Sequence, residues 1–146
     1  MEDQGIAGRL YHNCGLIAFL PALAVIIDYA LTFYLAGDTS MIISWEASPF
    51  VRFAVAHNLM AAYLIGIVLF YYGASYAVLR ILSGTEYYRF GFLLIIILSI
   101  THVIGGMSWY FRNAMYSNGV FVMSILSIVI AFIVFGFSLL NERTPA

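Results

Sequence analysis

Residues 16–36 read LIAFLPALAVIIDYALTFYLA, an apolar run broken by a single charge, Asp28. A helix crossing a hydrocarbon core of roughly 30 Å needs about 20 such residues. Lipid offers nothing to satisfy an open backbone, so a run of this length predicts a spanning helix. Pro21 is expected in its first turns, where it is tolerated. The acidic start of the chain has no basic n-region, and the run carries both a proline and an acid. It therefore predicts a retained helix, not a cleaved signal. Neither end shows a lipidation motif.

Three further apolar runs follow, at about residues 49–79, 90–111 and 119–140. Gly37-Asp38-Thr39-Ser40 is turn-forming, and Ser48-Pro49 reads as an N-cap followed by proline at the first helical position. Ser83-Gly84-Thr85 closes the second run, and Asn118-Gly119 is expected to separate the third from the fourth. The second run, about 46 Å long at 1.5 Å per residue, exceeds the bilayer and is expected to tilt or project. Trp45, Phe50, Tyr87, Tyr88, Trp109, Tyr110 and Tyr116 fall where interfacial aromatics gather. The short later connections predict an all-α integral membrane four-helix bundle, up-down-up-down, as one transmembrane domain over residues 1–146. Gly105-Gly106 marks the clearest place for helix backbones to approach closely.

Composition agrees. Hydrophobic residues make up 64% of the chain and charged residues 9%, against about a quarter charged in soluble domains. So few charges would leave a water-soluble fold with too much exposed apolar surface. The lipid bilayer is the expected partner, with a homo-oligomer or a larger membrane complex as further candidates. Net charge is −1 with six basic residues, all arginine, so nucleic acid is not an expected partner. Cys14 is the one cysteine, which excludes an intrachain disulfide. Arg9, Arg80, Arg89 and Arg143 fall on one side of the bilayer and Arg52 and Arg112 on the other. That bias predicts a multi-pass cell-membrane protein with both termini cytoplasmic.

Ionisable groups inside spanning helices cost roughly 2.5–3.5 kcal/mol each on insertion scales, so they need a partner or a purpose. Asp28, His57 and His102 lie within the runs, and Glu46 lies in the first loop. Asp28 is expected about 12 Å below the end of its helix, His57 about 12 Å beyond Pro49, and His102 about 15 Å before Arg112. All three depths are counted from one membrane face, the extracytoplasmic one. Thr32 shares the Asp28 face one turn on, and Arg52 is placed to balance Asp28 or Glu46.

Two chemistries suit this set. His57, His102 and Asp28 could hold a divalent metal such as zinc with an open position for water. Glu46, or Asp28, would then be the catalytic carboxylate of a small intramembrane hydrolase. Alternatively Asp28 and the histidines exchange protons near neutral pH. The rival reading is an accessory or scaffold subunit whose polar cluster only locks its own helices, since interhelical polar contacts average about 0.6 kcal/mol. A transporter or channel built from several copies is a third. No HExxH or GxSxG motif favours an enzyme.

Asp28, Leu31 and Thr32 form D-x-x-L-T, and Glu46 to Pro49 form E-x-S-P. Over residues 16–55 this resembles a family of small prokaryotic membrane proteins, a domain of unknown function, marked by D-x-x-L-T in the first helix and E-x-N-P opening the second. Ser48 stands where that family has Asn. The resemblance implies that Asp28, Thr32 and Glu46 are marked positions. It implies no activity, and it does not include His57 or His102.

Overall fold

The computed structural model describes residues 6–141, and helices account for nearly all of them, with no strand in that range. In chain order they are α1 (Ile6–Tyr11), α2 (Cys14–Ala36), α3 (Thr39–Trp45), α4 (Pro49–Ala56), α5 (Met60–Leu82), α6 (Tyr88–Gly106), α7 (Ser108–Phe111) and α8 (Ala114–Asn141). Four stretches are long and apolar enough to cross a membrane: Cys14–Ala36, Met60–Leu82, Tyr88–Phe111 and Ala114–Ile133. The chain is an all-α bundle of the multi-pass membrane type. Arg143, used above to orient it, lies outside the described residues, as does the side chain of Arg9.

Local chemistry sets the ends of these helices. The Asn13 side chain accepts from the Leu16 N–H at 3.0 Å and starts α2. Gly37 ends that helix with a φ of 74°, a left-handed conformation glycine adopts without strain. Asp38 then caps α3 by accepting from the Ser40 N–H at 3.0 Å. Ser48 caps α4 through the Val51 N–H, with Pro49 at the first helical position. Pro21 sits deeper than expected, in the interior of α2, where it is buried.

The long second run is two helices, not one. α4 stops at Ala56 and α5 begins at Met60. Between them Asn58 takes a left-handed φ of 57°, the Asn58 N–H bonds to the Val55 carbonyl at 3.2 Å, and the Leu59 N–H bonds to the Ala54 carbonyl at 2.8 Å. These two bonds and the left-handed residue between them are a Schellman helix stop, with asparagine in the place more often held by glycine. The expected excess length is thus a separate short helix, and α5 alone is the span.

The last boundary also moves. α7 ends at Phe111 and is capped by Arg112, left-handed at φ 45°, and Asn113 starts α8 by accepting from the Met115 N–H at 2.8 Å. Asn118-Gly119, the expected separator, lies inside α8.

α2 is the centre of the packing, with α5 and α6 as its principal neighbours and α8 resting on α6. The outward faces of α5 and α8 present large apolar side chains such as Leu69, Phe70, Phe121 and Phe132, as lipid-facing helices do. Buried apolar clusters close the two ends. Cys14, Ile17, Leu79, Leu82, Tyr88 and Ile95 pack at one. Ala36, Ile42, Val51 and Val55 pack at the other, flanked by Tyr29, Met60, Tyr63 and Trp109. The α3–α4 hairpin supplies Ile42, Val51 and Val55, and so caps the end where α2 finishes and α5 begins.

Candidate functional site

Below that cap, α2 and α6 are joined by one polar contact. His102 Nδ1 lies 2.9 Å from Asp28 Oδ2, and each side chain is about one-fifth exposed, 20% and 19%. The expected depths explain the meeting. Asp28 is eight residues before Ala36, about 12 Å in, and His102 is nine residues before Phe111, about 14 Å in. When the carboxylate is ionised it can only accept, so the hydrogen of this bond is then on Nδ1, and Nε2 is the ring nitrogen that Asp28 does not engage.

The helices come close at this point because α6 has no side chain there. A Cβ placed on Gly106 would stand 2.9 Å from both the Cα and the carbonyl oxygen of Asp28, and one on Gly105 would stand 3.7 Å from Asp28 Oδ2. The carboxylate therefore rests against the bare backbone of α6, one turn beyond the imidazole it bonds. The same Cβ on Gly105 would stand 3.6 Å from Cγ1 of Val120 on α8. Tyr116 secures α8 to α6 by donating its hydroxyl to the Ile104 carbonyl at 2.8 Å.

α5 contributes aromatic rings. Tyr71 stands edge-on to His102, with centroids 4.8 Å apart and planes at 88°. Nearer the cap, the hydroxyls of Tyr29 and Tyr63 meet at 3.0 Å. Tyr29 lies within electrostatic reach of both Asp28 and Glu46.

Glu46 sits where α3 turns into α4, and its carboxylate accepts from the Ser48 N–H at 3.0 Å. Burial pushes its carboxyl above the ordinary value, and the Asp28 charge adds to the rise. The backbone N–H groups of Ser48 and Ala47, and the Arg52 guanidinium, pull against it. Arg52 is exposed and acts on Glu46. Thr32 is buried one turn from Asp28.

His57 does not join this group. It caps α4, is exposed, stacks on Phe53 with centroids 4.1 Å apart, and turns Nδ1 to the Phe53 carbonyl at 2.9 Å. Among the described residues no three His, Cys, Asp or Glu side chains are grouped to hold a metal ion. The expected trio of Asp28, His57 and His102 is therefore a pair.

Tyr71, Tyr29 and Tyr63 were not singled out by the sequence reading. Measured from Pro49, Tyr71 would be about 33 Å deep and useless to the site. Measured from Met60 it is about 16 Å deep and level with Asp28. The Asn58-Leu59 helix stop is the signal that would have reset the count. Searches against family models, curated proteins and solved structures returned no match to this chain.

Proposed function

We propose that this protein binds and releases a proton at the Asp28–His102 pair, from the extracytoplasmic side, as a small multi-pass protein of the cell membrane. The observation that carries the reading is the 2.9 Å contact between an acid and an imidazole on two spanning helices. Histidine is suited to change charge between pH 5 and 8. Uptake adds a proton at His102 Nε2 and turns a neutral imidazole beside a carboxylate into an imidazolium–carboxylate pair. Release returns the proton to water and restores the neutral ring. Tyr71 on α5 and Val120 on α8 border the pair without adding charge. Glu46, whose carboxyl is held above the ordinary range, lies close enough to the pair for the Asp28 charge to act on it.

A three-ligand catalytic zinc would need a third side chain at this depth, so the metal-dependent hydrolase is not part of the proposal. Membership of the small prokaryotic family marked by D-x-x-L-T belongs to it, supported by Asp28, Thr32 and Glu46 standing around one site. The arginine bias supports the assignment of sides.

The accessory-subunit reading rests on a different observation: the pair joins α2 to α6 where Gly106 brings their backbones together. Nitrogen-15 NMR of the histidines in nanodiscs, followed from pH 5 to 9, separates the two. Proton binding is expected to show His102 Nε2 changing its protonation with pH, in a way that Asp28→Asn alters. A wild-type His102 ring whose signals do not change over that range, with Asp28→Asn losing only thermal stability, would overturn it in favour of a structural lock.

A further inference from the structure

At the opposite membrane face, a cleft of about 310 Å³ is lined by Tyr11, His12, Thr85, Glu86, Tyr88 and Arg89. We propose that it holds the headgroup of a zwitterionic aminophospholipid, with the phosphate at Arg89 and His12 and the primary ammonium at Glu86 and the tyrosine faces.

The walls are firmly built. Tyr88 is 5% exposed and donates its hydroxyl to the Tyr11 carbonyl. Tyr11 stands edge-on to both Tyr88 and Phe92, at 5.2 and 5.0 Å. His12 stacks on Tyr88 at 5.5 Å. The Thr85 hydroxyl donates to the Leu82 carbonyl at 2.8 Å and accepts from the Tyr87 N–H, fixing the turn that floors the cleft. Gly84, at φ 84°, makes that turn possible. The volume is near the lower end for small-ligand pockets, about 300 Å³.

Charge selects the occupant. Glu86 and Arg89 line the same opening three residues apart, both exposed, and no ion pair joins them among the described residues. The Arg89 guanidinium lies 4.9 Å from the centre of the Phe90 ring, which leaves its fork available to phosphate. A purely anionic headgroup would satisfy Arg89 and oppose Glu86. A phosphate and an ammonium on one ligand satisfy both. A primary ammonium can donate hydrogen bonds to a carboxylate and lie against tyrosine faces, whereas a trimethylammonium cannot donate.

Position selects the source. The cleft lies between the start of α2, the end of α5 and the start of α6, at the boundary of three spans. Tyrosines of this kind gather at headgroup level. A bilayer presents its headgroups there at high local concentration, which favours a lipid over a free phosphoester.

The test is native mass spectrometry of the purified full chain, offered phosphatidylethanolamine, phosphatidylcholine and phosphatidylglycerol with identical acyl chains. Retention of the ethanolamine lipid is expected to exceed the other two by about tenfold, the effect of one good charged contact. Glu86→Gln should abolish the preference for ethanolamine over choline, and Arg89→Gln should weaken retention of all three. Equal retention of the three lipids by the wild type would overturn the proposal without reference to any variant. So would unchanged retention in both variants, with melting temperatures showing that they are folded. Binding of soluble O-phosphoethanolamine as tight as that of the ethanolamine lipid would overturn the lipid assignment and leave a site for a free phosphoester.

Discussion

Gly106 on α6 lies against the backbone of Asp28 on α2, close enough that a methyl group on Gly106 would stand 2.9 Å from both the Asp28 Cα and its carbonyl oxygen. Neither atom can swing aside as a side-chain tip could. Gly106→Ala is therefore expected to push α6 off α2, at the 1–3 kcal/mol typical of overpacking. Thermal unfolding in detergent should show the loss, and the His102 NMR signal should shift with it. Gly66→Ala and Gly73→Ala are the controls, since nothing lies within 4 Å of a Cβ at either. Both should hold or raise the melting temperature, because alanine is the better helix former by up to about 1 kcal/mol.

Glu46 gives a pH prediction whose sign is fixed. Its carboxyl is held above the ordinary 4.5 in the folded protein, first by burial and then by the Asp28 charge. Between 4.5 and the raised native value the folded state binds the extra proton. The contribution to stability is thus fully present below 4.5 and is lost as pH climbs through the native value. Glu46→Gln cannot lose a proton, so its melting temperature should fall less than that of the wild type between pH 4 and 8. Parallel curves for the two proteins would contradict the assignment.

Tyr71 can be divided into ring and hydroxyl. The ring edge meets His102 at 4.8 Å, a contact of the kind worth about 0.5–1.5 kcal/mol beyond burial. Tyr71→Phe should keep the melting temperature within a degree or two, whereas Tyr71→Leu should lower it and broaden the His102 signal. If Phe and Leu behave alike, the ring contact does not hold the imidazole in place.

Arg112 ties α7 to the end of α2. Its guanidinium donates to the Leu35 carbonyl and the Trp109 carbonyl, each at 3.1 Å, while its backbone is left-handed at φ 45°. Arg112→Ala loses the charged bonds, about 1.5–3 kcal/mol, and keeps the backbone strain. Arg112→Gly loses the same bonds and removes the strain. Glycine is expected to be the less destabilised of the two in thermal unfolding.

These residues also show what was legible in the sequence. Four spans, the Ser48-Pro49 helix start and the Gly37 stop follow from length and capping chemistry. Asp28 and His102 were matched by depth because the ends of their helices were read within a residue or two. His57 was misplaced for the same reason in reverse. His57 and Asn58 are two polar residues inside a long apolar run, too few to divide it by hydropathy, so the helix stop at Asn58 was not read as one. The tyrosines of α5 went unremarked, because a depth counted from Pro49 puts Tyr71 far from the site. Cross-helix pairs such as Tyr29 with Tyr63 depend on helix rotation, and apolar stretches that are hydrophobic on every side carry little rotational signal.

The separation of 74 residues along the chain from Asp28 to His102 has a bearing on how the protein is made. A chain delivered to the bilayer from its beginning places Asp28 there with the first span, while the imidazole arrives only with the third. Until then the acid must wait as a neutral carboxyl or near water. The nascent protein is thus most exposed to loss or misplacement before α6 enters, and a substitution at His102 would extend that unprotected interval indefinitely.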